Sequence, residues 1–254
     1  MMRKNLLKEK LLNKQKVVGC GITVCAPMLI EVLAMSGVDY VIIDYEHSAL
    51  NLSDCEHLIR VAENANITPI VRVPMNEPQL MIRYLDSGAQ GILTPGVANK
   101  AEAEKAAEAV RYYPRGMRGL GASRASGYGI GMPLNEFCEY ANSQMLLILS
   151  MENIECVSNI EDILSVDGVD GLWFGANDLS QSLGVPGQTR HPLVREALEK
   201  ARQACLKSGK PFGGVVRKGE SPLDYYQQGY LSVLISVPSL LSSAAKDFVK
   251  LAKG

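Results

Sequence analysis

The chain has 254 residues, of which 47% are hydrophobic and 21% charged, and its formal net charge is −1 at pH 7. This length and composition are typical of a folded chain with a sizeable core. The near-zero charge argues against a nucleic-acid-binding face. No apolar run approaches the roughly 20 residues that cross a bilayer, and the charged start lacks a secretory core. Six cysteines without a C-x-x-C pair indicate reduced thiols, so we expect a cytoplasmic protein with no nucleic-acid or membrane partner.

The chain begins with a predicted helix that has basic residues on one face and Leu6, Leu7, Leu11 and Leu12 on the other. Short β-branched runs then alternate with amphipathic stretches. The predicted strands are Val17–Ile22, Tyr40–Asp44, Thr68–Val73, Gly91–Thr94, Leu146–Met151, Gly171–Gly175, Phe212–Val216 and Ser232–Ile235. The clearest predicted helices are Leu52–Asn64, Ala101–Arg111 and His191–Ser208.

Strand–helix alternation favours a parallel sheet. Eight repeats predict an α/β fold, a closed (β/α)8 TIM barrel that forms a single domain over residues 1–254. An open doubly wound sheet is the alternative. In a barrel, polar residues at the carboxyl ends of strands are candidates for catalysis.

The run VDYVIIDYEHSAL ends in such a cluster, with Asp44, Glu46 and His47 directly after a buried strand. A histidine beside carboxylates is a plausible oriented base. Alternatively, Asp44 and Ser48 cap the next helix and His47 is a solvated loop residue. The other two histidines, His57 and His191, and Trp173 are interpreted as structural.

Three further strand ends carry charge. Arg72 lies inside the predicted apolar strand Thr68–Val73, where its guanidinium needs a partner: a substrate oxyanion or, alternatively, a carboxylate of the barrel. Glu152 and Asp178 follow two successive strands and together predict an oxygen-rich site for Mg²⁺ or Mn²⁺. As an alternative, Asp178 is a helix N-cap.

Pro114–Pro133 is long and rich in glycine, and it carries Arg115, Arg118 and Arg124. Such a segment is often a lid or a binding loop, and the alternative is a mobile surface loop. It matches neither a P-loop nor a dinucleotide-binding pattern.

Six ordered blocks extend over nearly the whole chain: DYVIIDYEHSALN, PIVRVP, LDSGAQGILTPGV, YYPRGMRGLGASRAS, SMENIECVSNI and VDGLWFGANDLSQSLGVPGQTRHP. In these blocks the chain resembles the HpcH/HpaI aldolase family, the metal-dependent pyruvate aldolases related to citrate lyase β chains and macrophomate synthase. The resemblance implies a (β/α)8 barrel in a homohexamer, a trimer of dimers, with a C-terminal helix exchanged between protomers. It also implies a lyase that reversibly cleaves a 2-oxo-4-hydroxy acid into pyruvate and an aldehyde through a metal-stabilised enolate, with Mg²⁺, Mn²⁺ or Co²⁺ as cofactor.

The resemblance also assigns roles to residues. Glu152 and Asp178 match the metal ligands, and His47 matches the base, with Asp44 beside it. Arg72 matches the residue that contacts the keto oxygen. Asp86 matches a carboxylate that an adjacent subunit supplies to the histidine. The remaining matches are the backbone N–H groups of Asn177 and Asp178, which bind the substrate carboxylate.

This chain departs from the family pattern near the substrate. Ser150 stands where a substrate-contacting glutamine is usual, and Ala176-Asn177 stands where Pro-Ala is usual. Ser236–Ser239 replaces a turn that contains glycine and aspartate. These departures bear on which substrate is used, and an oxaloacetate-using synthase or decarboxylase is the alternative function. A catalytically inactive binding protein is a third hypothesis, disfavoured because no matched catalytic position is lost.

Overall fold

The computed structural model describes residues 2–254 and shows eight parallel strands that close into one barrel in chain order. The strands are β1 (Val17–Ile22), β2 (Tyr40–Asp44), β3 (Thr68–Arg72), β4 (Gly91–Thr94), β5 (Leu146–Met151), β6 (Gly171–Phe174), β7 (Phe212–Val215) and β8 (Ser232–Ser236). β8 pairs with β1 and closes the barrel. The predicted TIM barrel is therefore confirmed, and the open sheet is wrong.

Helices cover the outside of the barrel and connect its strands. They are α1 (Leu6–Leu12), α2 (Pro27–Met35), α3 (Leu52–Asn64), α4 (Pro78–Asp86), α5 (Lys100–Ala109), α6 (Leu134–Gln144), α7 (Ile154–Ser158), α8 (Ile160–Ser165), α9 (Ala176–Ser182), α10 (Pro192–Ser208), α11 (Pro222–Gln227) and α12 (Val237–Lys253). Within residues 2–254, no helix combines the length and hydropathy needed to span a membrane.

The first helix closes the N-terminal end of the barrel. Leu7 and Leu11, one helical turn apart, are buried in the same cluster as the inward-facing strand residues. Leu6 and Leu12 are 41% and 71% exposed, so the prediction of a face of four leucines is wrong for these two. A helix this short presents only one i, i+4 pair to the barrel end.

A hydrogen-bonded trio fills the centre of the barrel. Trp173 Nε1 donates to Tyr40 Oη at 2.8 Å, and Tyr40 Oη lies 2.6 Å from Ser232 Oγ. A Cβ at Gly19 would lie 2.2 Å from the Tyr40 ring, so only glycine fits opposite this tyrosine. The predicted structural role of Trp173 agrees with this position.

Side chains at the carboxyl ends of several strands face the inside of the barrel. Ile42, Ile70 and Ile148 belong to the inner cluster. Since side chains alternate along a strand, the residues two positions later, Asp44 and Arg72 among them, also face inward. Polar side chains thus line the carboxyl-terminal mouth of the barrel.

The Pro114–Pro133 segment lies at the opposite end from this mouth. It joins α5 to α6, and Arg118 in it pairs with Asp86 at the end of α4, just before β4 begins. Arg124 pairs with Glu63 in the last turn of α3. The segment therefore does not cover the mouth of its own barrel, and two of its arginines fix it to neighbouring helices.

Candidate active site

An ion pair between two adjacent strands forms the centre of the mouth. Asp44 of β2 and Arg72 of β3 are register partners. Arg72 Nε donates to Asp44 Oδ1 at 2.9 Å, and Arg72 Nη2 donates to Asp44 Oδ2 at 2.5 Å. Burial opposes the charge of Asp44, but Arg72 and two backbone N–H groups outweigh it and hold the pKa of this carboxyl below its usual value.

Glu46 is a second carboxylate on the same guanidinium. Its Oε2 lies 3.3 Å from Arg72 Nη1 and 3.7 Å from His47 Nε2. This oxygen is buried and accepts no hydrogen bond from the residues that the structure describes. Burial raises the pKa of Glu46 although Arg72 opposes the shift. Sequence reasoning included Glu46 in the polar cluster but gave it no role. Its position between Asp44 and His47 is the sequence feature that points to its contact with both Arg72 and His47.

Asp44 also shapes the loop that carries His47. Its Oδ1 accepts the backbone N–H groups of Glu46 at 3.0 Å and His47 at 3.2 Å. The cap of α3 is Asn51, so the alternative that Asp44 caps this helix is wrong. The His47 side chain is 58% exposed in the single chain, as the alternative of a solvated loop residue predicted.

Two partners were predicted for Arg72, a carboxylate of the barrel and a substrate oxyanion, and this geometry is compatible with both. Arg72 does pair with barrel carboxylates, as the alternative predicted. A guanidinium has five N–H donors, and these two carboxylates engage three of its nitrogens through one contact each. N–H groups on Nη1 and Nη2 therefore stay available to an oxyanion in the mouth.

Two further carboxylates follow β5 and β6. Glu152 Oε1 accepts the backbone N–H of Gly96 at 2.7 Å, which fixes the orientation of this side chain. A Cβ at Gly175 would lie 3.1 Å from Glu152 Cβ and 3.6 Å from Glu152 Oε2, so glycine keeps space beside the carboxylate. Asp178 is the third residue of α9, whose N-cap is Gly175 without a side-chain hydrogen bond. The alternative that Asp178 is an N-cap is wrong.

Ser150 and Asn177 border the same space. Ser150 is buried at an inward position near the end of β5, and its Oγ would lie 3.6 Å from a Cβ at Gly175. Asn177 and Asp178 occupy the first turn of α9, where the first intrahelical hydrogen bond runs from Leu179 N to Gly175 O at 3.0 Å. The preceding N–H groups of this turn are available to an anion.

Asp86 is the one predicted site residue that the single chain does not bring to the mouth. It ends α4, and its carboxylate accepts a 2.8 Å hydrogen bond from Arg118. Because helices of this barrel end at the face where the following strand begins, Asp86 lies at the N-terminal face, across the barrel from His47.

Comparison with known proteins identifies the family to which this chain belongs. The model of the HpcH/HpaI aldolase/citrate lyase family matches residues 20–241, which include every candidate site residue. The chain belongs to this family. A hydroxypyruvate/pyruvate aldolase of Roseobacter denitrificans is 35% identical over 211 residues, which cover 82% of this chain and 81% of the relative.

Solved structures of similar proteins span almost the full chain. The crystal structure of citrate synthase SbnG is 36% identical, with a TM-score of 0.84, over 97% of this chain and 99% of the other. An HpcH/HpaI family protein from Burkholderia cenocepacia is 29% identical, with a TM-score of 0.92, over 99% of this chain and 100% of the other. As an HpcH/HpaI family member with aldolase relatives, the protein is a carbon–carbon lyase of the aldolase type.

Proposed function

We propose that this HpcH/HpaI protein is a divalent-metal-dependent pyruvate aldolase that reversibly cleaves a 2-oxo-4-hydroxy acid into pyruvate and an aldehyde. The observation that carries the proposal is the charge arrangement of the mouth. Arg72 is held by Asp44 and Glu46 on one side, and Glu152 follows the strand β5 on the other. The hydroxypyruvate/pyruvate aldolase relative supports a small 2-oxo acid as substrate.

The donor set fits a small divalent cation. Among residues 2–254 no group of three or more histidine, cysteine or acidic side chains is placed to hold a metal. Magnesium is commonly bound by one or two carboxylates together with water and substrate oxygens, and Glu152 and Asp178 are the two carboxylates we assign. A bound Mg²⁺, Mn²⁺ or Co²⁺ would act as a Lewis acid toward the 2-oxo acid.

The side chains of the mouth bind and orient the substrate and move its proton. The free N–H groups of Arg72 donate to the keto oxygen, which becomes negative when the methyl group loses a proton. His47 takes that proton through water. The backbone N–H groups of Asn177 and Asp178 bind the substrate carboxylate, and Ser150 donates a hydrogen bond beside them.

We expect proton exchange at pyruvate to test the proposal without knowledge of the aldehyde. Methyl protons of pyruvate should exchange in D₂O with Mg²⁺ or Mn²⁺ and stop exchanging with EDTA, because enolate formation needs only the donor half of the site. Proton NMR measures the rate. Exchange that continues unchanged in EDTA would remove the metal from the proposal, and no exchange with any divalent metal would remove pyruvate as the donor.

An oxaloacetate-using synthase or decarboxylase is the second candidate. The similarity to citrate synthase SbnG over 97% of this chain favours it, and so does Ser150, which is shorter than the glutamine usual at this position. Oxaloacetate consumption that exceeds every aldol cleavage at equal enzyme concentration would select this candidate.

We also propose an oligomer, a hexamer built as a trimer of dimers, in which α12 packs on a neighbouring protomer. No residue of α12 is buried, and Leu241, Phe248 and Leu251 are 67%, 72% and 85% exposed. Exposed apolar residues along one long helix are typical of an interface. In such an assembly Asp86 of one protomer reaches His47 of its partner. The six free cysteines support a cytoplasmic location.

Phe248→Asp is expected to dissociate this oligomer, because it places a charge in the apolar face of α12. In a monomer the same change at a 72% exposed position would have little effect on stability. Sedimentation velocity measures the mass of the assembly. Lys246→Asp on the same helix is the matched control and should leave the mass unchanged. A Phe248→Asp protein with the wild-type mass would contradict the interface.

A further inference from the structure

We infer that Arg118, in the Pro114–Pro133 segment, is a positioning residue that fixes the Asp86 carboxylate for use by a second copy of this chain. The inference rests on the proposed function, in which Asp86 acts on His47 of a neighbouring protomer. It assigns a role to a segment that the active-site chemistry leaves unexplained.

The Arg118–Asp86 pair joins a buried cation to a partly exposed anion. Arg118 Nη2 lies 2.8 Å from Asp86 Oδ1, and the two side chains are 1% and 31% exposed. The second oxygen of Asp86 accepts no hydrogen bond from a residue that the structure describes. The buried guanidinium therefore fixes Asp86 Oδ1, and Asp86 Oδ2 is free to accept a hydrogen bond from another molecule.

Arg118 is itself held by a rigid support. Its guanidinium carbon lies 4.6 Å from the centre of the Tyr112 ring. The Tyr112 backbone makes two hydrogen bonds with the Asn142 side chain, at 2.8 Å and 2.9 Å. Arg118 N donates to Arg111 O at 2.8 Å. This chain of contacts connects α6 to Asp86, so the carboxylate is preorganised rather than free to rotate.

Tight backbone turns keep Arg118 at this position. A Cβ at Gly116 would lie 2.5 Å from Glu108 O and 2.6 Å from Arg111 O, so this glycine allows the segment to fold back onto the end of α5. On the other side of the pair, Ala125 N donates to Asp86 O at 3.1 Å. The segment thus contacts the last residue of α4 through both its backbone and its side chain.

The Pro114–Pro133 segment also exposes apolar side chains that suit contact with a second copy of the chain. Met117, Leu120 and Ile130 of the same segment are 76%, 54% and 88% exposed. A carboxylate at this face cannot reach the mouth of its own barrel, whereas the mouth of another copy offers the exposed His47.

Complementation between defective subunits tests the inference. His47→Ala and Asp86→Asn subunits, co-expressed with different tags and purified through both, should regain exchange activity at about one quarter of their sites if assembly is random. Arg118→Lys keeps the charge but loses the planar fork, and should slow pyruvate exchange roughly 10- to 100-fold through misplacement of Asp86. It should lower kcat with little change in KM.

Arg118→Lys should also fall in the same complementation group as Asp86→Asn. Mixed with His47→Ala subunits it should restore activity, and mixed with Asp86→Asn subunits it should not. The double variant Arg118→Lys/Asp86→Asn should exchange protons within about twofold of Asp86→Asn alone, as expected for residues that act as one unit. Arg124→Lys, which alters the neighbouring pair with Glu63, is the matched control and should keep the wild-type rate.

The outcomes separate the inference from the proposed function. If Asp86→Asn is fully active, the role of Asp86 in the partner's site fails and the inference fails with it. If Asp86→Asn is impaired but Arg118→Lys complements it, or adds its own loss to it, the role of Asp86 stands and the inference is overturned. Should Arg118→Lys fail to assemble, Asp86→Glu retains the pair but moves the carboxylate by one methylene, and wild-type activity in that variant would overturn the inference.

Discussion

Asp178→Ala is expected to abolish divalent-metal binding and pyruvate proton exchange together. Glu152 would be the only remaining carboxylate ligand, and the loss of one of the two anionic oxygen ligands removes much of the attraction for a divalent cation. The loss should appear in both readouts because the cation and the Arg72 guanidinium act on the same developing charge. Titration calorimetry with Mn²⁺ measures binding, and proton NMR in D₂O measures exchange.

Asp178→Asn is the matched control for this change. It keeps the size of the side chain and one oxygen ligand, so weakened metal binding with residual exchange at high Mn²⁺ is expected. Asp178 lies in the exposed first turn of α9 and accepts no hydrogen bond from the described residues, so the melting temperature should change little in either variant. An Asp178→Ala protein that exchanges pyruvate protons at the wild-type rate after EDTA treatment would contradict the metal assignment.

Much of the barrel could be predicted because its strands are buried on both faces. Continuous apolar runs such as Tyr40–Asp44 and Leu146–Met151 have the bounds that the structure shows. Others differ by one residue: β3 ends at Arg72 rather than Val73, and β8 continues to Ser236. These ends depend on which neighbouring strand supplies the last ladder hydrogen bond, which a single run of sequence does not encode.

The charge network of the mouth was only partly predictable. Strand periodicity places Asp44 and Arg72 at inward positions on sequential strands, so their encounter follows from the fold class. The loop conformation that turns Glu46 back onto Arg72 depends on the backbone N–H groups of Glu46 and His47, which donate to the Asp44 carboxylate, and these hydrogen bonds are not visible in a residue pattern. The separation of Asp86 from His47 in one chain follows from topology alone.

Helix caps show the same limit on a smaller scale. Asp44 and Asp178 are both residue types that favour N-cap positions, yet Asn51 and Gly175 occupy the caps of α3 and α9. Asp44 instead pairs with Arg72 in the mouth, and Asp178 lies exposed in the first turn of α9. The preference of a residue type for cap positions therefore could not identify the cap residues here, whereas the backbone positions do.

His47→Ala is expected to slow pyruvate proton exchange by roughly 10²- to 10⁴-fold, the usual contribution of a general acid or base. Pyruvate should still bind, because Arg72 and the N–H groups of α9 are untouched. The exposed loop position of His47 predicts little change in melting temperature. His57→Ala, at an exposed position in the middle of α3, is the matched control and should exchange at the wild-type rate. Exchange rates from proton NMR, with pyruvate affinity from calorimetry in the presence of Mn²⁺, distinguish the two effects. A fully active His47→Ala protein would remove this residue from the mechanism and leave Glu46, whose buried oxygen lies 3.7 Å from the imidazole, as the remaining candidate base in the cluster.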